Sequence, residues 1–473
     1  MDEYMQKIIL YGTGNKAQIL NSLLLQINIS PQFCVDSDER KQGTIWKGYS
    51  VYSPGVLKEN KGVFYIYIAA TDLDDEIFHT LLQYNVERKR IKRFYEAVLW
   101  IIERKEEGIT LKEKGSYTFL FDTINGYNAG GVEEWSKSIA LHLKNLKDNV
   151  YLLGPSGDYV DNNELEKNTL DVSIDRTDKW SLDNICNIIN KLKNYMPIVA
   201  ITASQNITFY SLLYLKIKFP GLVKIISVVH NGTPVSYKEY ADVHQFLDDL
   251  VCVSEDIVEG LEHNGIDKTK IYHMTCPVEV PSVFNRDYSC YEKPIKIGYA
   301  GRLEIGQKRL DLLPGILEEL EKKHIDYCME IAGNGSYYNE LEKFIKRKKL
   351  ANKVKLLGKI DRKYIPDFWQ RQDICINISE HEGRCISTME AMVNGAVPIV
   401  TRTSGVREDI TNGENGYIVE IGDCAAIVEL IQKLYQERHL LEIMGTRAYQ
   451  EIAKKSSMDL HMNFWMKLLE KET

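Results

Sequence analysis

The sequence predicts an α/β protein built on parallel sheets, and two observations predict it. The C-terminal half alternates apolar strands with helices, beginning at the strand over 295–301, as a doubly wound parallel sheet requires. At the N-terminus a short apolar strand over 7–11 runs into GTGNKA, an apolar-periodic helix over 17–25 and a strand ending FCVDSD. Gly12, Gly14, Ala17 and Asp36 thereby form a GxGxxA turn with an acidic strand end in a βαβ setting.

A chain of 473 residues exceeds what one hydrophobic core supports, since cores stop growing near roughly 250–300 residues, so two or three domains are expected. Hydrophobic residues at 44% and charged residues at 27% describe a globular chain, and a net charge of −8 argues against a dedicated nucleic-acid binder. The nine cysteines are odd in number, lack a CxxC pair and sit mostly in apolar runs, as core residues of a reducing compartment do. No run reaches the roughly 18–20 apolar residues that span a bilayer, and the N-terminus lacks a signal-type apolar region. A cytoplasmic location follows, with the inner face of a membrane as its furthest extension.

Taken in order, the strand over 63–71 and a helix over 75–83 complete an N-terminal Rossmann-like accessory domain, residues 1–108. Its YGTGNKA start and FCVDSD strand end resemble the nucleotide-sugar-binding domain that precedes some bacterial acetyltransferases, which implies a nucleotide or nucleotide-sugar site; the other reading is a structural or docking domain, and the turn needs its glycines in both cases. Residues 87–105 carry seven basic side chains around an apolar stripe of Ile91, Tyr95, Val98, Leu99 and Ile102, widened by Phe94, Trp100 and Ile101. That stripe suits a helix packed between domains, or one resting on anionic lipid. A boundary falls near 285–293, dividing an N-terminal lobe over 113–290 from a C-terminal lobe over 291–455, and a final helix closes the chain over 456–473.

The most informative stretch is 373–419, where Glu382 and Glu390 stand eight positions apart in SEHEGRCISTMEAMVNGAVPIV. It reads as a strand over 374–378, a glycine turn, a short helix stopped by Gly395 and a second strand over 396–400. A helix start beyond a strand offers backbone N–H groups to an anion, phosphate above all. Two carboxylates facing one crevice suit a hydroxyl-rich ligand.

These residues resemble the E-x7-E signature of retaining GT-B glycosyltransferases of the group 1, family-4 type. The resemblance continues in order through Gly301, Arg302 and Lys308 in YAGRLEIGQKRLDLL, Gly333 to Gly335 in MEIAGNGSYYNELEKF, and VKLLGKI. Upstream it reaches VVHNGTP at His230, VCVSEDIVEGL and GGVEEWSKSIALHL, and so covers 116 to the C-terminus. It implies two Rossmann-like lobes facing a cleft, with the accessory domain added. It also implies transfer of a hexose, with retention, from a nucleotide-diphosphate sugar, a UDP-sugar foremost. The acceptor implied is a saccharide or lipid-linked saccharide of a bacterial surface polymer.

In residue terms, the resemblance implies catalytic roles for Glu382, His230, Arg302 and Lys308. It implies donor contacts from Gly131, Arg302, Lys308, Gly333, Leu357, Ile360, Glu382, Cys385, Ile386, Ser387 and Glu390. Arg302 and Lys308 would neutralise the diphosphate, Glu390 would accept from the ribose hydroxyls, and Leu357 and Ile360 would flank the base. No cofactor or metal is required, because cationic side chains and a helix start can stabilise the leaving group. The carboxylates Asp36, Asp38, Asp72, Asp74, Asp248 and Asp249 read as turn and cap residues, since a hard cation needs several convergent oxygens. Membrane or protein partners are assigned to residues 1–108. The rival readings are a catalytically silent nucleotide-sugar-binding partner of another transferase and a GT-B epimerase or phosphorylase.

The chain departs from the commonest family form twice. Where many members read EGFG, it has Glu382-Gly383-Arg384-Cys385, which places a cation beside the donor to tune specificity or bind an acidic group. Where many read NGVD, it has Thr275-Cys276-Pro277-Val278-Glu279.

Overall fold

The computed structural model describes residues 7–59, 64–70, 74–106, 115–122, 131–154, 167–172, 174–175 and 177–473. It divides into two compact units, one of residues 1–227, 234–249 and 472–473, the other of residues 228–233 and 250–471.

The first unit holds two sheets. The N-terminal one has six strands in the order Ile45–Trp46, Tyr49–Tyr52, Phe33–Val35, Lys7–Tyr11, Phe64–Ile68 and Ile91–Lys92. All pairings are parallel except the hairpin of the first two. Ile8, Ile9 and Leu10 are fully buried, as the centre of a sheet covered on both faces demands. The glycine turn is present: Gly12 takes φ +112°, and a Cβ there would meet the Ala69 backbone at 3.0 Å. Asp36 at the strand end is occupied within its own turn, accepting from Thr13 Oγ1 at 2.5 Å and Lys41 Nζ at 3.2 Å. The other sheet runs Thr169–Asp171, Val150–Gly154, Thr118–Asp122, Ile198–Thr202 and Val223–Val229, all parallel.

The basic segment over 87–105 is not one helix. Arg88–Arg90 is a single 3₁₀ turn, Ile91–Lys92 is a sheet strand, and the α-helix begins at Phe94 and ends at Lys105. Glu96 starts it, accepting from the Arg93 backbone N–H at 2.8 Å. Phe94, Ala97, Val98, Ile101 and Ile102 are buried, with Phe94 edge-on to Trp180 and Tyr210 and Trp100 edge-on to Tyr67. The apolar stripe is thus filled by the unit's own side chains, and Arg93 is held by Asp242 at 2.6 Å and by Asp75. Packing wins over lipid here because burial against protein already removes that surface from water.

The second unit carries a six-stranded, wholly parallel sheet: Val354–Gly358, Tyr327–Ala332, Ile295–Ala300, Ile374–Asn377, Val397–Thr401 and Tyr417–Val419. Its core joins Ile297, Ile331, Ile374, Ile376 and Ile399 to helix residues such as Leu317, Leu341, Ile427 and Ile431. The chain fills the strands outward on one side and then returns to the centre, so strand order reverses between Ile295–Ala300 and Ile374–Asn377. Such a switch point leaves a crevice beyond the strands' carboxyl ends, where two connections diverge. The predicted residues of 301–309 and 378–385 are those two connections.

Two further features complete this unit. Asp249–Cys252 pairs in parallel with Ile271–His273. The closing helix Met458–Lys471 buries His461, Trp465 and Leu469 and sets Phe464 edge-on to Tyr272. Among the described residues no helix is long and apolar enough to cross a membrane.

Candidate active site

At the switch point Glu382 is held from three directions. Lys308 Nζ lies 2.5 Å from Oε1, Ser379 Oγ donates to the same oxygen at 2.7 Å, and Gln307 Nε2 donates to Oε2 at 3.2 Å. Both partners of the ion pair are withdrawn from water, with side-chain exposures of 16% for Lys308 and 7% for Glu382. Burial works against the charge on Lys308, but Cys385 and Glu382 outweigh it, so its ammonium is held above the ordinary lysine range. Arg302 lies outward, its side chain 56% exposed, with Nη2 donating to Gln307 Oε1 at 2.7 Å and Nη1 3.3 Å from Glu304.

Backbone approach fixes these loops. A Cβ on Gly383 would stand 1.7 Å from the carbonyl oxygen of His230, and one on Gly333 1.8 Å from that of Gly301. Only glycine fits at either place. Gly301 N–H also bonds Ala332 O at 3.0 Å, and Leu303 N–H bonds Asn334 O at 2.9 Å, so the Gly333 turn is laced to the Arg302 loop. Through Gly383, His230 is brought beside the Glu382 turn. Enclosure by protein pushes its imidazole down to about 4, which keeps it neutral at pH 7.

The helix predicted after the glycine turn is Ile386–Val393, with Cys385 as its N-cap and Gly395 at φ +78° just past its end. Ile386 and Ser387 therefore contribute first-turn N–H groups that a helix leaves without internal partners. The Ser387 hydroxyl is turned away, donating to Ala300 O at 2.7 Å. Cys385 Sγ accepts from Asn377 Nδ2 at 2.9 Å, and its thiol is pushed up by burial and then by Glu382. Glu390 forms an ion pair with Arg362 at 2.6 Å, a partner that no motif or spacing points to. Leu357 is 37% exposed at the end of its strand, as a surface for a flat ring would be, whereas Ile360 is partly buried against the small core cluster that includes Phe368, Trp369 and Ala391. Gly131 starts the helix Gly131–Lys144 of the first unit; the glycine before it, with 123–129, lies outside the described residues.

Arg384 corrects an expectation. It does not stand free beside a donor: its guanidinium is buried and donates to Val253 O at 3.0 Å, to Glu408 at 2.7 Å and to Asp409. The acidic group it binds is the chain's own. Glu408 also meets His273 Nε2 at 3.0 Å and accepts from the Glu255 N–H at 2.7 Å. Glu255, His273 and Glu408 are the one group of metal-ligating side chains that converges among the described residues. Arg384 already supplies its cation, so a divalent ion would meet guanidinium repulsion there. Of the acidic residues read as turn and cap groups, Asp38 bonds Arg40 and Asp248 bonds Lys216, while Asp72 lies outside the described residues.

Comparison with known proteins bears on the domain and the fold. Residues 284–451 match the Glycosyl transferases group 1 family, and residues 4–92 match the C2185-like N-terminal family. The chain thus carries a glycosyl transferases group 1 domain, and its accessory domain is of the C2185-like type rather than a named Rossmann family.

Among curated relatives, N-acetyl-alpha-D-glucosaminyl L-malate synthase of Bacillus anthracis is 22% identical over 245 residues, 49% of this chain and 63% of that one. Poly(ribitol-phosphate) alpha-N-acetylglucosaminyltransferase of Staphylococcus aureus (strain COL) is 28% identical over 176 residues, 36% and 34% respectively. The matches span less than two thirds of these relatives. Among solved structures, Anabaena HepE in complex with UDP and glucose has a TM-score of 0.62 at 15% identity, covering 75% of this chain and 99% of that one. A TarM variant of S. aureus, in complex with Fondaparinux, alpha-GlcNAc-glycerol and UDP, scores 0.53 at 15% identity, covering 98% and 99%. The fold is GT-B.

Proposed function

We propose that the protein is a retaining glycosyltransferase that moves a hexose or N-acetylhexosamine from a UDP-sugar to a saccharide or lipid-linked saccharide acceptor, on the cytoplasmic side of a bacterial membrane. One observation carries the reading: the Lys308–Glu382 pair with Arg302 and the Ile386 helix start, gathered at a parallel-sheet switch point. Two cations and a helix N-terminus supply the charge stabilisation that a departing diphosphate needs, so the reaction requires no metal. Glu382 lies beside them to meet the reacting sugar, and neutral His230 offers its imidazole to a sugar hydroxyl. Glu390 takes the ribose hydroxyls once its bond to Arg362 is exchanged.

In this reading the leaving phosphate accepts the acceptor's proton on the same face, and no side-chain nucleophile takes part. Rate comes from orientation and electrostatics. Support for the sugar class comes from relatives named as N-acetylglucosaminyltransferases, and for uridine from neighbours solved with UDP. The nine cysteines, all free, fit a reducing compartment.

The test is UDP release from UDP-N-acetylglucosamine and UDP-glucose by the purified full chain, with and without EDTA, followed by NMR of any transferred product. Donor hydrolysis that survives EDTA and an α-linked product are expected. No release from any nucleotide sugar would leave only a silent binding partner, and a β-linked product would remove the retaining assignment.

A further inference from the structure

The strongest unassigned feature lies inside the proposed donor site, and the inference rests on that reading. We propose that Gln307 is a positioning residue that ties the phosphate-binding cation Arg302 to the carboxylate Glu382. Its side chain is engaged at both ends. Oε1 accepts from Arg302 Nη2 at 2.7 Å, while Nε2 donates to Glu382 Oε2 at 3.2 Å and to His381 O at 3.0 Å. Its own carbonyl accepts from the Glu380 N–H at 2.8 Å. Three of these hydrogen bonds link the connection after Ile295–Ala300 to the one after Ile374–Asn377 through a single residue, and the fourth ties Arg302 to it within the first connection.

The chemistry of the position selects an amide. One end must accept from a guanidinium and the other must donate to a carboxylate, and an amide carries both functions at fixed separation. Rotating the amide by half a turn would point NH₂ at Arg302 and oxygen at Glu382, so the partners fix its orientation. Glutamate in its place would keep the bond to Arg302 but set an anion against Glu382. Lysine would face both Arg302 and Lys308. Arg302 is more than half exposed and, among the described residues, its side chain otherwise bonds only Glu304, so without Gln307 it has little to order it toward the site. Ordered in this way, the cation and the carboxylate meet the donor without further reorganisation.

The experiment compares wild type, Gln307→Ala and Gln307→Glu in the full chain. It reads kcat and KM for donor hydrolysis across pH 5–9, melting temperature, and amide hydrogen exchange of the 378–385 segment without donor. Gln307→Ala should lower kcat about 10- to 100-fold, the order expected when a catalytic group is misplaced by about an ångström. Its melting temperature should stay unchanged while exchange over 378–385 quickens. Gln307→Glu should be poorest at high pH and recover as pH falls, because the protonated carboxyl again donates to Glu382. A merely structural role would shift melting and leave the pH profile alone.

Wild-type kcat and pH profile in both variants would overturn the proposal. Should the wild type turn over no donor, the functional reading falls first. Exchange over 378–385 then decides on Gln307 by itself, and rates equal to wild type in Gln307→Ala overturn it.

Discussion

Lys308 Nζ and Glu382 Oε1 lie 2.5 Å apart although 74 residues separate them in sequence. The ammonium is largely withdrawn from water yet stays charged, because the carboxylate facing it offsets the burial. A buried cation already aligned at a helix start is a group that an incoming diphosphate meets without solvent reorganisation. The pair therefore ties stability and the proposed catalysis to the same two side chains, and variants can separate them.

Lys308→Ala should lower donor turnover by about 10²-fold or more, the usual loss for one preorganised donor. It should also lower stability, because Glu382 is left buried with one ionic partner fewer. Arg302→Ala should lower turnover similarly but leave melting unchanged, since its side chain is 56% exposed. Steady-state kinetics beside thermal melts of both variants check this; wild-type rates would remove the assigned roles.

Glu390→Gln should raise donor KM more than it lowers kcat, because ribose contacts are made equally in ground and transition states. Glu382→Gln should instead lower kcat, since it stands beside Lys308 at the reacting end. The reverse pattern would exchange the two glutamates' roles.

Removing the buried Arg384 side chain should be among the most destabilising single substitutions in this unit. Asp409 is 5% exposed and Glu408 holds its carboxyl down to about 2 despite burial, through His273 and Arg384. Breaking a buried ion pair by deleting one partner typically costs about 3–5 kcal/mol. Denaturant melts of Arg384→Ala measure it, and a loss under about 1 kcal/mol would mean that the network relaxes into water.

Acid sensitivity should come from two histidines whose charged form the fold disfavours, His230, held down to about 4, and His461. His461 is fully buried on the closing helix, neither ring nitrogen has a hydrogen-bond partner, and burial followed by Arg384 pushes it down to about 3. The unfolded imidazole titrates near 6.5, so between about pH 6.5 and 3 the unfolded state binds the extra proton and stability falls as pH falls. At pH 5 the loss from this residue is about 2 kcal/mol relative to pH 7. His461→Phe should make that slope shallower, leaving the share of His230, read as melting temperature against pH; an unchanged slope would assign acid lability elsewhere.

Much of the site was legible in the sequence because its constraints are local. Gly333 and Gly383 sit in short motifs where backbone meets backbone, and any side chain would collide, so they appear as glycines beside Asn334 and Glu382. Elements with strong periodicity also fell within a residue or two of expectation, as in the helix Asn15–Gln26 and the strand Val397–Thr401. The basic segment did not, since its composition suits a single helix while Ile91–Lys92 pairs with Ile66 and Tyr67 as a sheet edge. Hydrogen bonding to a neighbouring strand overrode local propensity there.

The sequence by itself determined the order of strands and helices, the glycine turns and the residue types gathered near each strand end, because these depend on spacing along the chain. The tertiary structure alone decided partners. It turned Arg384 inward to Glu408 and Asp409, paired Glu390 with Arg362 and set Gln307 between Arg302 and Glu382. The reason is physical: a charged side chain withdrawn from water must find its counter-charge in space, and contacts across tens of residues leave no periodic trace in the sequence.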